Sequence, residues 1–180
     1  VLAVAQDPVK DNPALAALKQ VAASSKAGDS KAQLVSALRK ILDANPQSLP
    51  VRELTIRRYL EIGDQDSCQQ ATQLAAQGVQ MFPTEIEPVQ LEVQALMMSG
   101  RWNEALGYTK IWRDRAPADS LAADMAAAQA DLMLHQPDDA ASALAGHVAT
   151  MKADPDKYAD GLNIYCTALN QNGQQDKAAA

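Results

Sequence analysis

Histidine, cysteine and clustered carboxylates are the side chains most often recruited for metal, nucleophilic or acid–base chemistry, and this chain spreads them thinly. His135 and His147, its two histidines, stand 12 residues apart with no cysteine nearby, so they compose no zinc site and read as surface histidines. Asp154, Asp156 and Asp160 lie close together, but the segment lacks the turn glycine and bidentate glutamate of a calcium loop. Asp156 suits the cap of a helix, and Asp138 and Asp139 suit the first turn of another, where carboxylates complement the dipole. There is no glycine-rich phosphate loop, no Gly-x-Ser-x-Gly elbow and no His-Glu-x-x-His helix. The expectation is a chain with no catalytic group, no cofactor and no metal.

The remaining residue types point to helices. Of the 180 residues 47% are hydrophobic, enough for a core, yet only 4% are aromatic and the surplus is Ala and Leu. Val and Ile do not alternate as strands require, so no sheet is expected. Sixteen basic against 22 acidic residues leave a net charge of −6, which repels phosphate backbones and anionic membrane surfaces. Nucleic acid is therefore not an expected partner. No apolar run approaches the roughly 20 residues that span a bilayer, so membrane insertion is not expected either. The opening Val1-Leu2-Ala3-Val4-Ala5-Gln6 reads either as the tail of a secretory signal or as the last turns of a preceding helix. Cytoplasmic and exported locations both stay open, and the two ends of the chain read as cut from something longer.

Pro13, Pro46, Pro83, Pro117 and Pro155 punctuate the sequence at intervals of 33, 37, 34 and 38 residues. Proline is tolerated in the first turn of a helix or just past the end of one, so each marks a junction between units, about 13–45, 46–82, 83–116, 117–154 and 155–180, the last truncated. Together they make one repeat domain over 1–180. The first unit predicts helices at Ala14–Lys26 and Lys31–Asp43 around the turn Ala27–Ser30, with Ser30 as cap. The second predicts Val51–Ile62 and Ser67–Phe82. The third predicts Glu85–Ser99, a turn at Gly100 with Asn103 as cap, and Glu104–Arg115. The fourth predicts Asp119–Leu134, a turn His135–Asp138 made by Pro137 in place of glycine, and one continuous helix Asp139–Lys152. The fifth begins at Asp156 and turns at Asn172-Gly173.

The third unit, with Gly100 and Trp102 at its turn, Ala105 in its second helix and Pro117 at its end, resembles the tetratricopeptide repeat family; Gly173 and Ala178 fall at the same spacing in the fifth. First helices depart from that pattern, with Val93 and Cys166 where the family has a small residue, and Thr109 replaces a second-helix aromatic. The resemblance implies an all-α fold, a right-handed superhelix of stacked antiparallel helix hairpins. Helices about 10 Å across would then hold Cys68 and Cys166 roughly 25 Å apart, beyond the ~7 Å reach of a disulfide, so both are expected as free thiols, Cys166 on the inward side of its helix.

What the resemblance implies about function is a non-enzymatic scaffold that holds a protein or peptide along its concave face, lined by first helices. Projection onto those helices selects Glu53 and Arg57, then Gln90, Gln94 and Met97, then Ala130, and finally Asn163 and Thr167 as partner-binding residues, with Lys19, Ala22, Ala126, Met133 and Asn170 beside them. Arg57 alone among neutral neighbours does not suit a peptide's terminal carboxylate. Amides and methionines suit an extended or helical peptide held by backbone hydrogen bonds and apolar contact. Two other readings stand beside it: a helical arm of a larger enzyme or cell-envelope protein, and self-association through the end repeats.

Overall fold

Four residues with left-handed backbone set the frame of the molecule: Gly63, Gly100, His135 and Gly173, with φ of 70°, 70°, 59° and 71°. A left-handed residue ends a helix because its N–H turns back onto the carbonyls of the last turn. At three of the four, the following N–H reaches the same carbonyl five residues back: Arg101 to Leu96, Gln136 to Asp131 and Gln174 to Leu169, each at 2.9 Å. At Gly63 the glycine N–H itself bonds the Tyr59 carbonyl at 3.1 Å. The computed structural model describes Ala16, Lys19 and residues 31–179, and every helix and turn below belongs to that set. Ala16 and Lys19 are helical and exposed; the rest of the expected first helix, Ala22, the turn capped by Ser30, and the opening residues lie outside the described residues.

The described elements are all helical: α1 (Lys31–Ala44), α2 (Leu49–Ile62), α3 (Gln65–Met81), α4 (Glu87–Met98), α5 (Trp102–Arg115), a short 3-10 turn (Pro117–Asp119), α6 (Ser120–Met133), α7 (Pro137–Ala145), α8 (Val148–Ala153), α9 (Ala159–Gln171) and α10 (Gln175–Ala179). Packing divides the chain into two units, Val1–Leu91 and Glu92–Ala180.

In the first unit α1 packs on α2 and α2 on α3. Leu38 and Val51 are buried there, with Leu34, Ile41, Leu42 and Leu54 around them. Pro50 sits in the first turn of α2, where a missing N–H costs nothing. Asp64 caps α3 by accepting from the Ser67 N–H at 2.8 Å. Arg52, 4% exposed, ties α2 to its surroundings by donating to the Leu74 carbonyl (3.2 Å), Gln77 Oε1 (3.2 Å) and the Pro46 carbonyl (3.0 Å). Burial lowers its affinity for a proton, and those acceptors offset the loss of water.

In the second unit α6 packs on α5 and on α7, while α9 packs on α6, α7 and α8. The core is small-residue packing around Ala128, Ala140, Leu144, Met151 and Ala168, with Leu121, Met125, Leu132 and Tyr165 against it. Ala105 and Thr109 are buried on α5 as the hairpin reading requires, Thr109 returning its hydroxyl to the Leu106 carbonyl at 2.9 Å.

Several local expectations need correction. Asn103 does not cap α5: the cap position is Arg101, whose guanidinium makes a fork onto Glu104 (2.7 and 2.6 Å), and Asn103 lies inside the first turn. Pro137 does not make the fourth turn but opens α7, where its fixed φ suits the first helical turn; His135 takes the left-handed position instead. The expected helix Asp139–Lys152 is broken at Gly146-His147 into α7 and α8. Asp156 caps nothing; Tyr158 holds the cap position of α9, and Asp154 accepts from the Lys157 N–H at 3.3 Å in the turn before it.

Candidate functional site

Counting backwards from each left-handed residue puts the first helices of successive hairpins, α2, α4, α6 and α9, in one register. Four residues back stand Tyr59, Leu96, Asp131 and Leu169, all buried. Five back stand the fully buried Ala95, Ala130 and Ala168, whose small side chains let a neighbouring helix approach, and in α2 the half-buried Arg58. Six back stand Arg57, Gln94, Gln129 and Thr167, all exposed, and ten back stand Glu53, Gln90, Met125 and Asn163, half-buried except for the exposed Asn163.

This register sorts the expected binding residues. In the first unit Arg57 is exposed, and Glu53 and Gln90 are half-buried. In the second, Gln94, Asn163 and Thr167 are exposed and Met97 is half-buried. Ala130 is a correction: at 0% exposure it offers a partner nothing, and the outward residue of that helix is its neighbour Gln129. An alanine-rich helix shows little contrast between faces in its sequence, and the one-residue displacement follows from His135 standing where the other hairpins have glycine.

Electrostatics differ between the helices. Burial pushes the Glu53 carboxyl above its ordinary range, helped by Glu87 and opposed by Arg57. On α6 the carboxyl of Asp131, 7% exposed in a position that elsewhere holds Tyr or Leu, is pushed up to about 6 by desolvation and by Asp139, against the pull of Lys110. Asp124, also 7% exposed and seven residues earlier on the same helix, accepts from the Arg113 guanidinium through Oδ1 and meets His147 Nε2 at 2.8 Å through Oδ2. His147 is thus not a plain surface histidine: it sits at the α7–α8 break and holds that break to α6. Sequence reading missed this knot because its three members are 11 and 23 residues apart.

Cys68 is buried, with its thiol pushed up by burial and then by Asp64, while half-buried Cys166 directs Sγ to the Ala178 carbonyl at 3.6 Å; both are free. Among the described residues, no group of three or more His, Cys, Asp or Glu is placed to hold a metal ion, and no helix is long and apolar enough to cross a membrane. A cavity of about 410 Å³ opens in the first unit among Val35, Arg39, Tyr59, Asp64, Ser67 and Gln70.

No protein-family model and no curated protein sequence matches this chain. Solved structures do. A mutant form of MamA matches with a TM-score of 0.63 over 91% of this chain and 87% of its own, at 13% identity. The MamA structure titled MSR-1 C2 matches with a TM-score of 0.65 over 91% and 86%, also at 13% identity. MamA contains tetratricopeptide repeats, and likeness at this identity speaks to the fold: the chain has a tetratricopeptide-like all-α fold of consecutive helix hairpins.

Proposed function

We propose that this chain is a non-enzymatic scaffold that holds a protein or peptide partner on the outward side of its first helices. The observation that supports the reading is the register itself. In each unit the residue six before the left-handed turn is exposed and uniformly polar, Arg57 in the first and Gln94, Gln129 and Thr167 in the second, while the residue four before it is buried. A repeated row of outward side chains on a buried frame is how helical repeats offer an extended binding surface. Glu53, Arg57 and Gln90 serve in the first unit, and Gln94, Met97, Asn163 and Thr167 in the second, with Gln129 taking the place first given to Ala130.

The test is capture from the native lysate with the wild-type chain and with an Arg57→Ala, Gln94→Ala, Met97→Ala variant, both checked for folding by circular dichroism. A partner retained by the wild type and lost by the folded variant supports the reading. Unchanged capture refutes the face.

A further inference from the structure

Charge is partitioned between the two sets of helices in the second unit. Exposed charges on its helices sit on second helices, as with Glu104, Lys110, Asp114, Asp138 and Asp139, and on first helices only at Asp160 in the opening turn of α9. The other charged residues of α6 and α9 are Asp124 and Asp131, both buried. At the outward register positions the first helices of this unit carry only amides, Thr and Met, whereas α2 of the first unit carries Glu53, Arg57 and Glu61 at the same three places. Met98 and Met133, both two residues before the left-handed turn, are the exposed large hydrophobics among the described residues, at 47% and 53%.

From this partition we propose, resting on the scaffold reading above, that the second unit takes an extended peptide segment free of charged side chains. The argument is one of charge complementarity. A charged side chain docked against Gln129, Thr167 and Met133 gives up part of its water to amide, hydroxyl and thioether groups, with no opposite charge at the outward register positions themselves to replace it. An uncharged peptide loses little, and its backbone N–H and C=O groups match amide side chains, each of which donates and accepts. The spacing agrees: α6 and α9 pack on each other, packed helices lie about 8–10 Å apart and an extended chain advances about 3.3 Å per residue, so about three peptide residues carry it from Gln129 to Thr167. Met98 and Met133, unbranched and polarizable, adapt to the apolar side chains between.

The experiment selects a random displayed peptide library against the full chain at low and at high salt, and repeats the selection with a Gln129→Glu, Thr167→Glu variant. Both substitutions are at exposed helix positions, and circular dichroism verifies the fold. The expected result is a consensus without Asp, Glu, Lys or Arg, bound equally at both salt concentrations, and weakened about tenfold or more in the variant. A charged consensus lost in the same variant overturns this proposal and leaves the scaffold reading standing. A consensus indifferent to the variant overturns this proposal and leaves the scaffold reading to the first unit, and no selected peptide at all overturns both.

Discussion

His135 holds a backbone conformation that three equivalent hairpins give to glycine. A β-carbon in the left-handed region costs roughly 1 kcal/mol, part of which glycine returns through its freer unfolded chain. The imidazole is exposed, so little packing is lost on its removal. His135→Gly is therefore expected to raise stability by about 0.5–1 kcal/mol, read as a higher urea midpoint with an unchanged slope; a lower midpoint would show that the ring is doing something the backbone does not reveal. Asp131 offers the opposite case, a carboxyl where other hairpins bury Tyr59, Leu96 or Leu169. Its value rises from 3.8 to about 6 on folding, so its favourable contribution is complete below pH 4 and is lost as pH climbs through 6. Asp131→Leu should gain about 1–2 kcal/mol at pH 8, allowing for the water that still reaches the carboxyl's edge, and should flatten the fall in stability between pH 4 and 7. Denaturation curves at both ends of that range check it.

At the scale of helices, the close approach of α9 is set by Gly161. A β-carbon there would come within 2.7 Å of Met151 Sδ and 3.1 Å of Met125 Sδ, and Met151 is fully buried, so its thioether can yield only against the side chains around it. Gly161→Ala should cost about 1–3 kcal/mol through overpacking, even though alanine is the better helix former. Gly107 is the control. It is exposed inside α5 with nothing within 4 Å of an added β-carbon, so Gly107→Ala should gain about 0.5–1 kcal/mol. Opposite signs for the same substitution in thermal unfolding would separate contact from propensity; equal signs would refute the packing account of Gly161. The break between α7 and α8 is likewise tertiary in origin. Gly146 weakens the helix locally, but the bond from His147 to Asp124 gives the broken form something to hold.

At the scale of the whole chain, a net charge of −6 should keep it from retarding duplex DNA in a native gel even at low salt, where electrostatic binding is strongest. A shifted band would overturn the exclusion of nucleic acid that rests on composition. Light scattering across a dilution series bears on self-association: a mass above 19.2 kDa would make end-to-end contact a competing use of the same repeats.

The hairpin plan was legible in the chain, because proline spacing, the glycines at 63, 100 and 173, and helical periodicity are local properties that each hairpin carries with it. So were the outward positions of Arg57, Gln94, Asn163 and Thr167, since helical period fixes a face once a helix is anchored by a glycine turn. What the chain alone did not reveal depends on partners distant in sequence. In α6, where six of fourteen residues are alanine, the inward face is poorly marked, and only packing against α5, α7 and α9 decided that Ala130 is core and Gln129 is surface. The same packing placed Asp124 between Arg113 and His147, and it turned Asp131 from one more surface acid into a carboxyl held near neutrality by burial, because desolvation is a property of the neighbours and not of the residue.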